Sequence, residues 1–144
     1  MEKVKFLFHD KRIILWQRQA LKQFIVSLFI FEGHSLKNIT YIFCSDQYLL
    51  KINREFLKHD YYTDIITFDL SSSPKNVEAE AYISVDRVRE NAKSLECPVN
   101  KELHRVIFHG ALHLCGYRDK KNPEIEQMRM KEELYLINYF NNFK

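Results

Sequence analysis

The sequence is poor in residues that break regular structure and in residues that crosslink it. Its 144 residues include only three glycines, three prolines and three cysteines. No stretch has the repetitive composition of a linker, so we expect one domain over residues 1–144, which is long enough to bury about two-thirds of its extended-chain surface. An odd number of widely spaced cysteines is typical of a reducing compartment rather than of a disulfide-stapled fold.

A long uninterrupted hydrophobic run is also missing. The most apolar segment, residues 13–31, contains Arg18, Lys22 and three glutamines, and this polar content favours a buried amphipathic helix over a membrane span. Residues 1–8 alternate in polarity instead of forming a signal peptide, so we expect a cytoplasmic protein. The net charge of +3 permits an anionic partner but does not require one.

Hydrophobic periodicity predicts an α+β domain, with a small mixed β-sheet of about four strands covered by helices. Strands are expected at residues 3–8, 36–44, 63–70 and 78–85. The third is almost continuously apolar, so we expect it to be buried on both faces and to pair with the fourth through a hairpin-like loop. Asp10 is expected to cap a helix that runs to Glu32, and Ser45 or Asp46 a helix through Phe56. Further helices are expected at residues 86–95, 98–116 and 123–139.

The most informative feature is the run His-Gly-Ala-Leu-His-Leu-Cys-Gly-Tyr-Arg-Asp, which starts at His109. On a helix, His109 and His113 lie one above the other, with Cβ atoms roughly 5–6 Å apart. Gly116 tolerates the left-handed conformation that ends a helix and turns the chain back, which brings Asp119 towards the pair. Three protein ligands leave a fourth position for water, as in zincin-like catalytic zinc sites.

Two features of the same helix bear on this interpretation. Cys115 lies two residues past His113 and projects to another side of the helix, so we expect a packed thiol and not a ligand. An apolar stripe along the helix predicts that one side is buried while the histidines lie on its flank. The stripe consists of Leu103, Val106, Ile107, Gly110, Ala111 and Leu114. The alternative to a metal site is a polar patch whose hydrogen bonds are satisfied near a helix end.

A zinc ion held by two imidazoles and a carboxylate lowers the pKa of its water towards neutrality, so hydrolysis is the expected chemistry. The metal alone does not decide whether a peptide or a phosphodiester is cut. Zinc peptidases with this helix carry a glutamate directly after the first histidine as general base. Here that residue is Gly110, which leaves a metalloprotease-like hydrolase as the second interpretation.

Three segments resemble the YbeY family of bacterial rRNA-maturation endoribonucleases. They are Thr63-Asp64-Ile65-Ile66-Thr67-Phe68, Glu80-Ala81-Tyr82-Ile83-Ser84 and the run from His109 to Asp119. The family motif His-Gly-x-Leu-His-Leu-x-Gly-Tyr-Asp-His supplies three histidine ligands, of which two carry over as His109 and His113. The third falls on Asp119, with Arg118 before it where the family has aspartate. The resemblance therefore implies one zinc ion per chain, with an added negative charge that bears on metal preference.

The resemblance also implies a phosphate-handling arginine, and this chain lacks it. In the family the arginine ends a segment like Leu-Asn-x-x-Tyr-Arg, and the aligned position here is Leu57. The adjacent Lys58 is our candidate for the missing catalytic cation. Its alternative role is that of a solvated loop lysine.

The function implied by the resemblance is a zinc-dependent, single-strand-specific endoribonuclease. It would act on rRNA, including the 3′ end of 16S rRNA, with the small ribosomal subunit as partner and no nucleotide cofactor or membrane. From the residues alone, several basic side chains near the metal run are candidates for phosphate contacts and several tyrosines for base stacking, or else solvated charges and packed rings. These are Arg105, Arg118, Lys120, Lys121, Tyr61, Tyr62 and Tyr117. A ribosome-assembly factor with a mainly structural metal is the remaining alternative, because no general base is evident.

Overall fold

The structure is a computed structural model and describes residues 2–142. The strands are β1 (Val4–Phe8), β2 (Ser35–Cys44), β3 (Ile65–Asp69) and β4 (Asn76–Ser84). The helices are α1 (Arg18–Phe31), α2 (Asp46–Leu57), α3 (Val85–Ser94), α4 (Val99–Leu114) and α5 (Asn122–Asn142). The predicted α+β class is confirmed.

The four strands form one mixed sheet in the order β1-β2-β4-β3. β1, β2 and β4 are parallel, and β3 runs antiparallel to β4, as the hairpin prediction required. β3 is an edge strand, yet both of its faces are covered: Ile65 contacts Gly110 of α4 on one face, and Ile66 and Phe68 pack with residues of α2 on the other. The expected burial on both faces is found in part, because Ile66 is buried, Ile65 and Phe68 are half-buried and Asp69 is exposed.

The predicted helix from Asp10 to Glu32 begins only at Arg18. Both carboxylate oxygens of Asp10 accept hydrogen bonds from Ser45, at 2.7 Å from its backbone nitrogen and 2.6 Å from its hydroxyl. Asp10 therefore ties the preceding loop to the start of α2 and does not cap α1. Ile13 and Leu15 bury alternate side chains in the core, which holds this segment in a non-helical course. No helix within residues 2–142 has the length and apolar character that crossing a bilayer requires.

Helix α4 lies against the sheet and carries the predicted metal run. Its apolar stripe is buried as predicted, apart from a half-buried Leu114 at the end. The Tyr41 hydroxyl of β2 donates to the Ile107 carbonyl at 3.1 Å, which ties the helix to the middle of the sheet. Gly116 has a φ of 104°, and the Tyr117 amide donates back to the Leu112 carbonyl. Helix α4 thus ends in the predicted left-handed turn.

Candidate metal centre

The structure brings the side chains of His109, His113 and Asp119 together. Oδ2 of Asp119 lies 3.3 Å from Nε2 of His109 and 3.5 Å from Nε2 of His113. Each residue offers one ligand atom, and the three atoms lie within 4.8 Å of one another. The two imidazole rings stand nearly perpendicular, with centroids 4.5 Å apart. Two nitrogens and one oxygen in this arrangement suit a divalent ion such as zinc.

A hydrogen-bond partner at Nδ1 orients each of the two imidazole rings. Nδ1 of His109 is 2.5 Å from Oε2 of Glu132, on α5. Nδ1 of His113 is 2.9 Å from the Tyr117 carbonyl oxygen. When Nδ1 donates a proton to an oxygen acceptor, Nε2 is left with a free lone pair, and this is the usual arrangement of a metal-binding histidine. The oxygen acceptor beside each Nδ1 thus favours the tautomer that a metal ligand requires, and the geometry of the donor set fits a metal ion.

Cys115 does not belong to this group of candidate ligand atoms. Its side chain packs against the hydrophobic core, and burial raises the pKa of its thiol to about 12. A thiol with so high a pKa carries little thiolate at neutral pH. The predicted packed thiol agrees with this placement.

Arg105 lies behind the candidate ligands in a buried cluster of acids. Its guanidinium contacts Glu102 at 2.7 Å, Asp64 at 3.2 Å and Glu132 at 3.3 Å. Burial opposes its charge, but the hydrogen bonds to Glu102 and the charges of Glu132 and Asp64 raise the pKa of Arg105 above its ordinary value. Arg105 also lines a further cavity with His109 and Asp119, but its donors are engaged by carboxylates, so a contact with phosphates stays a prediction.

Tyr117 anchors the loop that carries Asp119. Its carbonyl holds His113, and its hydroxyl donates to Glu32 at 2.7 Å. Tyr135 and Lys131 of α5 also donate to Glu32. Burial opposes the charge of Glu32, but these hydrogen bonds outweigh it and lower its pKa. Tyr117 is thus a structural anchor, and the Lys131 ammonium over its ring, 5.6 Å from the ring centre, favours the packed ring over the base-stacking alternative.

The candidate ligands open onto a cavity of about 480 Å³. Its walls come from α2, the following loop, β3 and the end of α4. Besides the three ligands, the lining residues are Asn53, Leu57, His59, Tyr61, Thr63, Asp64, Ile65, Ile66, Thr67 and Lys120. Of the predicted phosphate-contacting and stacking residues, Lys120 and Tyr61 lie in this wall. Leu57 lines it too, so the position of the family's arginine faces the cavity with an apolar side chain.

The other predicted contacts lie outside the cavity wall. Lys58 ends α2 in a left-handed conformation, with its ammonium group 3.4 Å from the Glu55 carbonyl. Tyr62 packs beneath the Arg87 guanidinium, 5.3 Å from its ring centre. Arg118 lines a separate cavity beside Glu32, and Lys121 is exposed at the start of α5.

Sequence reasoning missed four residues around the centre. His59 and Asn53 line the cavity, Asp64 joins it to the Arg105 cluster, and Glu132 orients His109. Asn53 and Asp64 stand inside segments that resemble the family, and this is the signal that could have identified them. Glu132 lies 23 residues from His109, and no local spacing links the two.

Gly110 stands where zinc peptidases place their general base. It is buried against β3, and a Cβ atom there would lie 2.6 Å from Cδ1 of Ile65. A glutamate would require Ile65 to move. Close packing of α4 on β3 therefore accounts for the glycine and weighs against protease chemistry.

Comparison with known proteins gives a consistent result. The family model described as Endoribonuclease YbeY matches residues 3–139. The Endoribonuclease YbeY of Cytophaga hutchinsonii is 47% identical over 135 residues, 94% of each chain. That of Porphyromonas gingivalis is 44% identical and covers 95% of this chain and 90% of its own. The solution structure of TM1509 from Thermotoga maritima superposes with a TM-score of 0.67 at 25% identity, over 97% of this chain and 91% of that one.

The family model and both relatives cover almost the whole chain, and the two relatives are 47% and 44% identical to it. They confirm the resemblance that the motifs around His109 and Thr63 indicated. With the family model spanning residues 3–139, the chain belongs to the Endoribonuclease YbeY family.

Proposed function

We propose that this protein is a zinc-dependent, single-strand-specific endoribonuclease that acts in rRNA maturation, at the 3′ end of 16S rRNA, and in ribosome quality control. The observation that carries the proposal is the His109–His113–Asp119 group opening onto a cavity of about 480 Å³. Membership of an endoribonuclease family supports RNA as the substrate. The chain would act as one cytoplasmic hydrolase domain, with the small ribosomal subunit as partner.

The residues of the cavity would have different roles. His109, His113 and Asp119 would hold one metal ion, which when bound supplies Lewis acidity and lowers the pKa of water. Glu132 and the Tyr117 carbonyl keep both Nε2 atoms directed at the ion. Lys120 supplies a positive charge in the cavity wall, where an RNA phosphate would lie.

Metal removal tests this function directly. Elemental analysis of the purified protein is expected to find close to one zinc per chain. Chelation should abolish cleavage of a single-stranded RNA, and added Zn²⁺ should restore it. We expect recovery because the hydrophobic core keeps the chain folded when the three ligands lose the ion. Full cleavage by protein that contains no metal would refute the proposal.

Tyr61 is our candidate for the preference for single strands. Its ring is 56% exposed in the cavity wall and stacks on His59 with centroids 5.2 Å apart. The buried Asn53 donates to the Tyr61 carbonyl at 2.9 Å, which fixes the backbone there, and the Tyr61 hydroxyl lies 3.0 Å from Nδ1 of His59, which fixes the ring. An exposed, fixed aromatic ring offers a stacking surface to an unpaired base.

Replacing Tyr61 by alanine should therefore weaken binding of single-stranded RNA by about 1–3 kcal/mol, the usual loss for one stacked base. A fluorescence titration with a short oligonucleotide measures this. Tyr62→Ala is the matched control, because Tyr62 packs on Arg87 outside the cavity wall. Equal affinity of the Tyr61 variant and the wild type would remove Tyr61 from the RNA site.

Lys58 stays a prediction for the phosphate-neutralising role. It follows Leu57 directly, and its exposed side chain has only the Glu55 carbonyl as a hydrogen-bond partner within residues 2–142. An RNA phosphate at the rim of the cavity would offer a stronger, charged partner. Cleavage of single-stranded RNA by Lys58→Ala at fixed salt tests the role, and unchanged activity would exclude it.

The apolar Leu57 in the cavity wall favours a second candidate function. Without the arginine that the family places there, the metal centre would be mainly structural and the protein a ribosome-assembly factor. Such a protein would support ribosome maturation without cutting RNA. A variant that lacks a metal ligand separates the two functions.

A further inference from the structure

Three arginines line a second cavity, of about 320 Å³, at the edge of the sheet opposite the metal centre. They are Arg12 in the loop after β1, Arg18 at the start of α1 and Arg89 on α3. Apolar side chains form the remainder of its lining, namely Phe8, Ile13, Ile14 and Leu15. The metal cavity adjoins β3 and this one adjoins β1, which are the two edge strands.

Contacts with an aromatic ring and one hydrogen bond hold the three arginines close together. Cζ of Arg12 lies 5.5 Å from the centre of the Phe8 ring, and Cζ of Arg18 lies 5.4 Å from it. The Phe8 ring also stacks on Phe43, with centroids 5.2 Å apart, which limits where the two arginines can approach it. Arg89 donates to the Arg12 carbonyl at 3.2 Å. Three positive charges thus lie around one opening.

No carboxylate within residues 2–142 forms an ion pair with any of these arginines. Glu90 follows Arg89 on α3 but forms no ion pair with it, and two other acids on the adjoining segments have other partners. Asp10 accepts from Ser45, and Asp86 pairs with Lys11 and accepts from the Asp46 amide. Like charges held together without a counter-charge repel one another, and a bound anion relieves the repulsion.

We propose that this arginine cavity binds the phosphate backbone of single-stranded RNA, at a site separate from the metal centre. The inference rests on the proposed function, since it concerns the same substrate. Ile14 in the cavity lining is 67% exposed, and Trp16, two residues before Arg18 in the chain, is 59% exposed. Basic groups beside an exposed aromatic ring are the combination with which proteins hold unpaired strands.

The separation of the two edge strands suits one continuous strand of RNA. Neighbouring β-strands lie about 4.8 Å apart, so the edges of a four-stranded sheet are separated by roughly 15 Å. A few nucleotides of extended RNA span that distance. The arginine cavity would thereby hold the substrate at one edge of the sheet while another segment of it lies at the metal centre.

The test measures RNA binding by the full chain against salt concentration. The triple variant Arg12→Gln, Arg18→Gln, Arg89→Gln is compared with the triple variant Lys51→Gln, Lys93→Gln, Lys101→Gln, which removes three exposed charges elsewhere. The salt slope of binding should fall by about 2 in the arginine variant, at roughly 0.7 per lost phosphate contact for a single strand. It should change much less in the lysine variant. Single arginine substitutions, each expected to lower the slope by about 0.7, serve if the triple variant does not fold.

The outcomes separate this proposal from the proposed function. Equal slopes for the two triple variants overturn it, and so does a wild type that binds no RNA. If the arginine variant no longer binds vesicles of anionic lipid while its RNA binding is unchanged, the proposal is overturned in favour of a membrane surface. The proposed function fails by a different result, namely wild-type protein that binds RNA and zinc but does not cut the strand.

Discussion

Replacing His113 by alanine should lower the rate of RNA cleavage more than about 100-fold. Loss of a residue that merely supports a metal ligand typically costs 10–100-fold in affinity or activity, and loss of a ligand itself exceeds that. The side chain of His113 is 29% exposed and makes its hydrogen bond to a backbone carbonyl at the end of α4. We therefore expect a loss of unfolding free energy of only about 1 kcal/mol.

Three measurements on this variant locate the effect. Zinc per chain should fall to near zero, the circular dichroism spectrum should stay that of the wild type, and cleavage of single-stranded RNA should disappear. His9→Ala is the control, because His9 stacks on Tyr48 away from the metal centre. A folded, metal-free His113 variant that still cuts RNA would exclude the metal mechanism.

The same variant decides between the two candidate functions. An endoribonuclease that lacks His113 should fail to support rRNA maturation in cells that depend on it. An assembly factor with a structural metal should still support maturation, provided that the variant folds. Ribosomal RNA 3′ ends in complemented cells supply the readout.

Replacing Arg105 by methionine should destabilise the protein by about 3–5 kcal/mol, the typical cost of removing one partner from a buried charge cluster. The side chain of Glu102 is 1% exposed and that of Glu132 is 7% exposed. Without the guanidinium, these carboxylates and the partly exposed Asp64 would be left close together with no cation between them. Methionine keeps an apolar chain in place of the aliphatic part of the arginine side chain, so the loss mainly reports the guanidinium group. Urea unfolding measures it.

Arg54→Met is the matched control for this prediction. Arg54 pairs with Asp60 on the surface, so we expect a change within about 0.5 kcal/mol. Adding Glu102→Gln to the Arg105 variant should recover part of the lost stability, because it removes one uncompensated charge. A loss below about 1 kcal/mol in the Arg105 variant, or no recovery in the double variant, would contradict this account of the cluster.

The two predictions are connected through Glu132. Its Oε2 faces His109 and its Oε1 lies 3.3 Å from the Arg105 guanidinium. The arginine thus holds the carboxylate that orients a metal ligand. We expect the Arg105 variant to bind zinc more weakly than the Arg54 control, even under conditions in which both are folded.

The candidate ligand set was predictable because it is local. His109, His113 and Asp119 lie within eleven residues, and helix geometry together with one left-handed glycine determines where their side chains meet. The apolar stripe of α4 and the alternation of β2 and β4 were equally readable, since periodicity reports directly which side of an element is buried. Fold class and family follow from these local patterns.

Tertiary structure alone decided the partners of residues far apart in the chain. Asp10 follows a strand and precedes an apolar segment, as a helix cap does, yet its carboxylate meets Ser45, 35 residues away. The nearly continuous apolar character of β3 predicts that both of its faces are covered, but only the order of the sheet shows that it is an edge strand.

The charged residues show the same limit. Arg105 has the sequence context of a phosphate contact, and two of its three acidic partners, Asp64 and Glu132, are 41 and 27 residues away in the chain. Periodicity predicts whether a side chain is buried, and a buried charged side chain requires a partner of opposite charge. Which residue is that partner depends on long-range packing. For this reason Glu132, the wall of the metal cavity and the arginine cavity emerged only from the folded chain.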